Sequence, residues 1–105
     1  MRTAAAALAG ALAAGALAAD PAPPGRAKAQ MCATCHGVSG LGTMPDTPNL
    51  AGQPRTYLAE QMKQFRSGKR SHEVMNVVAR PLSDADISDL ADWYSSIVVE
   101  ARPPR

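Results

Sequence analysis

Residues 32–36 of this 105-residue chain read Cys32-Ala33-Thr34-Cys35-His36, and they contain both of its cysteines. Two thiols flank two residues, and an imidazole follows directly. Three ordinary roles for a Cys-x-x-Cys pair fit poorly. A thioredoxin-like redox pair needs a βαβ setting, and nothing near residue 32 reads as a parallel strand. A structural zinc site needs four Cys or His ligands, and the one other histidine, His72, would complete that set only at an unusual spacing. A plain disulfide suits an exported protein but leaves the adjoining His36 without a purpose.

Covalent attachment of c-type haem uses all three side chains. One turn of chain separates the two sulfurs by enough to reach both vinyl groups of a porphyrin, and the next side chain falls under the iron as proximal ligand. Cys32 and Cys35 are therefore the candidate thioether residues for one haem c, and His36 is the candidate axial ligand. The second ring N–H of His36 then needs an acceptor, which fixes the tautomer and raises the basicity of the ligating nitrogen.

The ends of the chain agree with that chemistry. Residues 1–19 are Met-Arg-Thr followed by an Ala/Leu/Gly run that stops at Asp20. Arg2, the apolar run and Ala16-Leu17-Ala18 make this segment an expected signal peptide, with cleavage after Ala18 or Ala19. The run is too short and too weakly apolar for a transmembrane anchor. The reading is an exported, bacterial, periplasmic protein without stable membrane insertion, and c-type haem is attached outside the cytoplasm. Residues 20–105 then form one domain, with a core at about 25–97 and a Pro-rich tail at Arg102-Pro-Pro-Arg105. That domain holds four aromatic residues (one Trp, two Tyr, one Phe), so its own apolar mass is thin. Domains of this size usually need a staple, and a large, flat, apolar haem supplies one.

The formal charge is +2 and falls to +1 without Arg2, before two haem propionates lower it further. This is no electrostatic footprint for nucleic acid. Lys63, Arg66, Lys69, Arg70 and Arg80 cluster, and Asp84, Asp86, Asp89 and Asp92 follow as an acidic block. Two solvated faces, or a dipolar surface that orients a redox partner, both fit this pattern.

The pattern along the chain is helical. Helix-compatible sequence runs from Gly25 to about Ala33 and into the Cys-x-x-Cys-His motif. Residues 37–54 hold four glycines and three prolines, a density of breakers that forbids a long helix or a central strand. A loop this long needs a functional reason, and wrapping one edge of a haem is one. Pro54 suits the first turn of a further helix, in which Tyr57, Leu58, Gln61, Met62 and Phe65 lie at helical spacing up to Gly68. A short helix is expected at Val74–Ala79, stopped by Pro81. Ser83-Asp84-Ala85-Asp86 has the form of a capping box, and Ile87, Leu90, Ala91, Tyr94 and Ile97 mark the apolar stripe of the helix it opens, with Trp93 beside them. The expected fold is all-α, three to four helices and a long loop around one covalent haem.

A second axial ligand would come from Met31, Met44, Met62, Met75 or His72. Met31 is adjacent to Cys32 and cannot reach across the ring. Met62 lies on an apolar helix face, where Met usually packs. Met44 sits on the loop that follows His36.

The motif, the size and the order of elements resemble class I cytochromes c, and more narrowly a single-haem domain of the cytochrome c4/c553 group. Gly25-Arg-Ala-Lys-Ala-Gln-Met-Cys32 is similar to the N-terminal helix of that family. Pro48-Asn-Leu-Ala-Gly-Gln53 is similar to its loop after the proximal histidine, and Tyr57-Leu58 through Gly68-Lys69-Arg70 to its middle helix. Leu82-Ser-Asp-Ala-Asp-Ile87 and Leu90-Ala-Asp-Trp-Tyr94 are similar to its C-terminal helix. The resemblance implies a cytochrome c fold, with the Pro48 carbonyl accepting from His36 and Met75 as distal ligand. His72 is the rival, and a bis-His site would lower the potential because thioether sulfur favours ferrous iron. Gln53, Tyr57 and Arg55 sit where polar side chains meet haem propionates. Trp93 matches the family's aromatic at the crossing of the terminal helices, with Gly25 permitting close approach.

Ligands on both faces leave the iron no vacant position for peroxide or oxygen. The implied function is a one-electron carrier, not an enzyme, exchanging electrons with a dehydrogenase, a membrane complex or a terminal oxidase. A cytochrome subunit bound to a flavin or molybdenum dehydrogenase is the alternative. A haem enzyme or gas sensor would need an open iron.

Overall fold

The computed structural model describes residues 1–11 and 22–105; the expected cleavage positions, Ala18 and Ala19, lie outside the described residues. Among the described residues five helical segments follow one another: α1 (Pro24–Lys28), α2 (Gln30–His36), α3 (Arg55–Ser67), α4 (Glu73–Ala79) and α5 (Asp84–Ser96). No strand occurs among the described residues.

The first expected helix is present as two segments. The break is slight. Ala29 keeps helical angles, its N–H reaches Gly25 O, and its carbonyl accepts from both Cys32 and Ala33. That shared carbonyl tightens one turn locally. α1 and α2 therefore act as one bent rod, and the Cys-x-x-Cys-His motif is itself helical through His36. α3 starts one residue later than expected, with Pro54 before the first turn, and ends at Gly68 in the left-handed conformation (φ 83°), where glycine carries no Cβ penalty. α5 opens with the capping box: Asp86 N–H donates to Ser83 Oγ and Ser83 N–H to the Asp86 carboxylate, each at 3.0 Å.

α5 is the central element. It packs on α1 from one side and α3 from the other. Leu90, Ala91 and Tyr94 form the buried cluster with Ala29 and Leu58, and Cys32, Leu50, Met62, Trp93 and Ile97 pack around it. The α1–α5 crossing is close because residue 25 has no side chain. A Cβ there would collide with the Asp89 carbonyl and lie 2.7 Å from the Trp93 Cβ.

Ion pairs hold the same crossing from outside. Lys28 Nζ reaches Asp86 at 2.8 Å and Asp89 at 2.6 Å. Arg55 pairs with Asp92, and Arg66 pairs with Asp84 at 2.7 Å while donating to Leu82 O. Every Asp of the acidic block thus meets a cation from another element, so the block is a seam between helices and not a free acidic face. Lys28, with smaller contributions from the Ser83 N–H and hydroxyl, holds the Asp86 carboxyl down at about 2.

Two outcomes follow. Gly25→Ala should cost about 1–3 kcal/mol by overpacking, read as a lower denaturant midpoint. Asp86 is depressed on folding, so its contribution is complete above the ordinary carboxyl range near 3.8 and is lost as pH falls towards about 2. Thermal midpoints should therefore drop across that window, and Lys28→Met should flatten the drop; an unchanged acid limb in the variant would remove Lys28 from the account.

Candidate haem site

The site is built on the last turn of α2. Cys32, Cys35 and His36 stand at positions i, i+3 and i+4, which a helix places on one face. Both cysteines are free thiols, half-buried, and His36 is buried. Burial pushes the Cys32 thiol up, and the neighbouring Tyr94 hydroxyl pulls it partly back. Burial likewise pushes the Tyr94 phenol up.

His36 Nδ1–H donates to the Pro48 carbonyl at 2.8 Å. A proline carbonyl can only accept, so the proton sits on Nδ1 and the Nε2 lone pair is left for a metal. The loop supplying that carbonyl is pinned at several points. Thr43 N–H donates to Cys35 O at 3.1 Å, Gly42 N–H to Asn49 Oδ1 at 2.7 Å, and Leu50 and Ala51 N–H both reach Gly40 O. Gly52 N–H donates to Tyr94 O at 2.9 Å, which fastens the far end of the loop to α5.

Met75 lies on α4, half-buried with Asn76, Val78 and Ala79 on the inner half of that helix. α4 packs on α3, α2 packs on α1, and the two do not touch each other. Met44 is half-exposed on the loop, Met31 is half-exposed on α2, and Met62 packs against the central cluster. His72 caps α4: its Nδ1 accepts from Val74 N–H at 3.3 Å and Met75 N–H at 3.2 Å. Its position as a cap was not legible, since the residue three further on is Met75 and not Glu or Gln. Asn76, also unmarked in the sequence reading, accepts from His72 N–H at 2.7 Å. Its place four residues after His72 was the signal available.

Among the residues expected near the propionates, Arg55 is committed elsewhere, to Asp92 and Ser88 on α5. Gln53 donates to Asn49 O at 3.4 Å, and Tyr57 is half-exposed.

These residues fit a haem. Two thiols and an unprotonated imidazole nitrogen share one helix face. The chain's own core is small, with Ile87 and Leu90 as its largest fully buried side chains, while Leu41, Met44 and Tyr57 stand about half-exposed. An apolar disc would cover surface of this kind. A bare metal ion fits less well, because among the described residues no three His, Cys, Asp or Glu side chains converge on one point.

Fold and motif together define a helical domain for covalently attached haem c. The cytochrome c family model matches residues 22–97. Cytochrome c-554(548) of Halomonas halodenitrificans is 43% identical over 81 residues, which is 74% of this chain and 98% of that protein. A protein named thiosulfate dehydrogenase electron acceptor, from Thiomonas intermedia, is 41% identical over 83 residues, covering 78% of this chain and 37% of its own length. The crystal structure of reduced recombinant cytochrome c4 from Pseudomonas stutzeri superposes with a TM-score of 0.69 at 35% identity, over 76% of this chain and 47% of that one. The chain belongs to the cytochrome c family and, within it, to the c4 group. Its cofactor is covalently bound haem c, as that family carries. It spans less than half the length of the Thiomonas and P. stutzeri relatives and nearly all of the Halomonas one.

Mass spectrometry of the matured chain should find one added haem, and Cys32→Ser combined with Cys35→Ser should leave none after denaturation. Chain without haem should give a poorly dispersed NMR spectrum, since its core is light; a well-dispersed one would show that the helices need no cofactor.

Proposed function

We propose that this chain is a periplasmic one-electron carrier whose haem c is attached at Cys32 and Cys35 and ligated by His36 and Met75. In this reading residues 1–19 are an export signal and residues 20–105 one monohaem domain. The observation that carries it is the His36–Pro48 hydrogen bond, which frees Nε2 on the helix face that also bears both thiols. The bound group supplies reversible exchange of one electron between ferric and ferrous iron. The chain's residues hold it, exclude water and leave no open coordination position, so the domain is not an enzyme in its own right. Among the described residues no helix is long and apolar enough to cross a membrane.

The relative named thiosulfate dehydrogenase electron acceptor supports a dehydrogenase as electron donor. It equally supports the second reading, in which the chain is a cytochrome subunit held on such an enzyme. Gln53 and Tyr57 remain the residues proposed to meet the propionates.

Docking of a carrier is small, brief and salt-sensitive. The basic cluster read from the sequence divides on this point. Arg66 is tied to Asp84 and Leu82 O, and Arg70 lies 4.5 Å over the Phe65 ring and donates to Gln61. Lys63, Lys69 and Arg80 make no ion pair among the described residues and are the cations left to meet a partner.

A redox-titrated visible spectrum tests the carrier reading. A single reversible one-electron wave, with a weak far-red band in the ferric form, is expected; high-spin bands without that feature favour an open iron. Lys63→Gln, Lys69→Gln and Arg80→Gln together should slow electron transfer to the partner at low salt by about tenfold and leave the high-salt rate unchanged.

A further inference from the structure

We infer that Asn76 is a positioning residue, whose side-chain amide locks the corner between α3 and α4 and so fixes the place of Met75. The inference rests on the proposal that Met75 is the second axial ligand. One amide makes three hydrogen bonds to backbone, to two carbonyls and one N–H. Its Nδ2 donates to Phe65 O at 2.8 Å and to Arg70 O at 2.9 Å, and its Oδ1 accepts from His72 N–H at 2.7 Å. Two carbonyls at one end and an N–H at the other settle which amide atom is which. Phe65 O belongs to the last turn of α3, where its other bond, from the Gly68 cap N–H, is long at 3.4 Å, and His72 is the residue that caps α4. A single side chain therefore ties the end of one helix to the start of the next and secures the connection between them.

The corner has further braces. His72 Nδ1 accepts from the Val74 and Met75 amides. The Phe65 ring lies under the Arg70 guanidinium and meets the His72 ring edge-on, with centroids 6.3 Å apart. α4 has only seven residues and packs on α3 alone among the helices. A helix of two turns is marginal by itself, so its height and rotation are set at this corner.

Thioether sulfur is a weak, neutral donor to haem iron. It outcompetes an external ligand only while the chain holds it in place. Loosening the corner raises the fraction of molecules with Met75 off, and the apparent affinity of an external ligand rises in proportion.

The test uses the ferric holoprotein and imidazole as competing ligand, with the far-red band and the reduction potential as parallel readouts. Asn76→Ala should bind imidazole at least about tenfold more tightly, with a weaker far-red band and a lower potential. Asn76→Asp keeps the acceptor for His72 but loses both donated bonds; it is the same size and should shift in the same direction, which guards against failure of the alanine variant to mature. Gly25→Ala weakens the α1–α5 crossing instead and should leave imidazole affinity within about twofold of the parent, separating the corner from general instability. Parental affinity and potential in both Asn76 variants would overturn the inference. Met75→Ala tests the underlying reading separately: it should lose the far-red band altogether, and a retained band would show that another residue ligates the iron.

Discussion

The hydrogen bond from His36 to the Pro48 carbonyl is the contact on which the remainder of the site depends. It joins the helix that bears both thiols to a loop that has no regular structure of its own. By taking the Nδ1 proton it decides which ring nitrogen faces outward, and by fixing the ring plane it decides the direction of any metal bond. A loop so rich in glycine and proline would not hold a carbonyl still unaided. Here its own N–H groups are bound to Cys35 O, Gly40 O and Tyr94 O, so the acceptor is set by both the motif helix and α5.

The two faces of the site are supported by different means. On the His36 side, α2 is continuous with α1 except at Ala29, and α1 is pressed against α5 by the missing side chain at residue 25 and the Lys28 ion pairs. On the Met75 side, support is local: a seven-residue helix, one neighbouring helix and a corner of side-chain hydrogen bonds. In the proposed ligation, histidine would be a strong ligand on a well-braced helix, and methionine a weak one on a lightly braced one. On that proposal, the Met75 side is where small structural changes would have the larger effect on the iron.

Charge is used in the same economical way. The acidic block on α5 reads in sequence as a solvated face or one pole of a dipolar surface, yet each of its carboxylates faces a cation from α1 or α3. Solvent-exposed pairs of this kind contribute little each, but as a row they set the register of three helices. Fewer basic residues remain for docking than the sequence count suggests.

The sequence alone determined the all-α class, the covalent haem, the loop of residues 37–54, the Gly68 stop and the Ser83 capping box. These are legible because each rests on spacing along the chain: the turn between two thiols, the density of breakers, the cap three residues before its partner. Tertiary structure decided the rest. The pairing of each Asp, the commitment of Arg55 to Asp92 and Ser88, and the bonds of Asn76 to Phe65 O and Arg70 O join segments through space. Their distances depend on how helices cross, which no local pattern encodes.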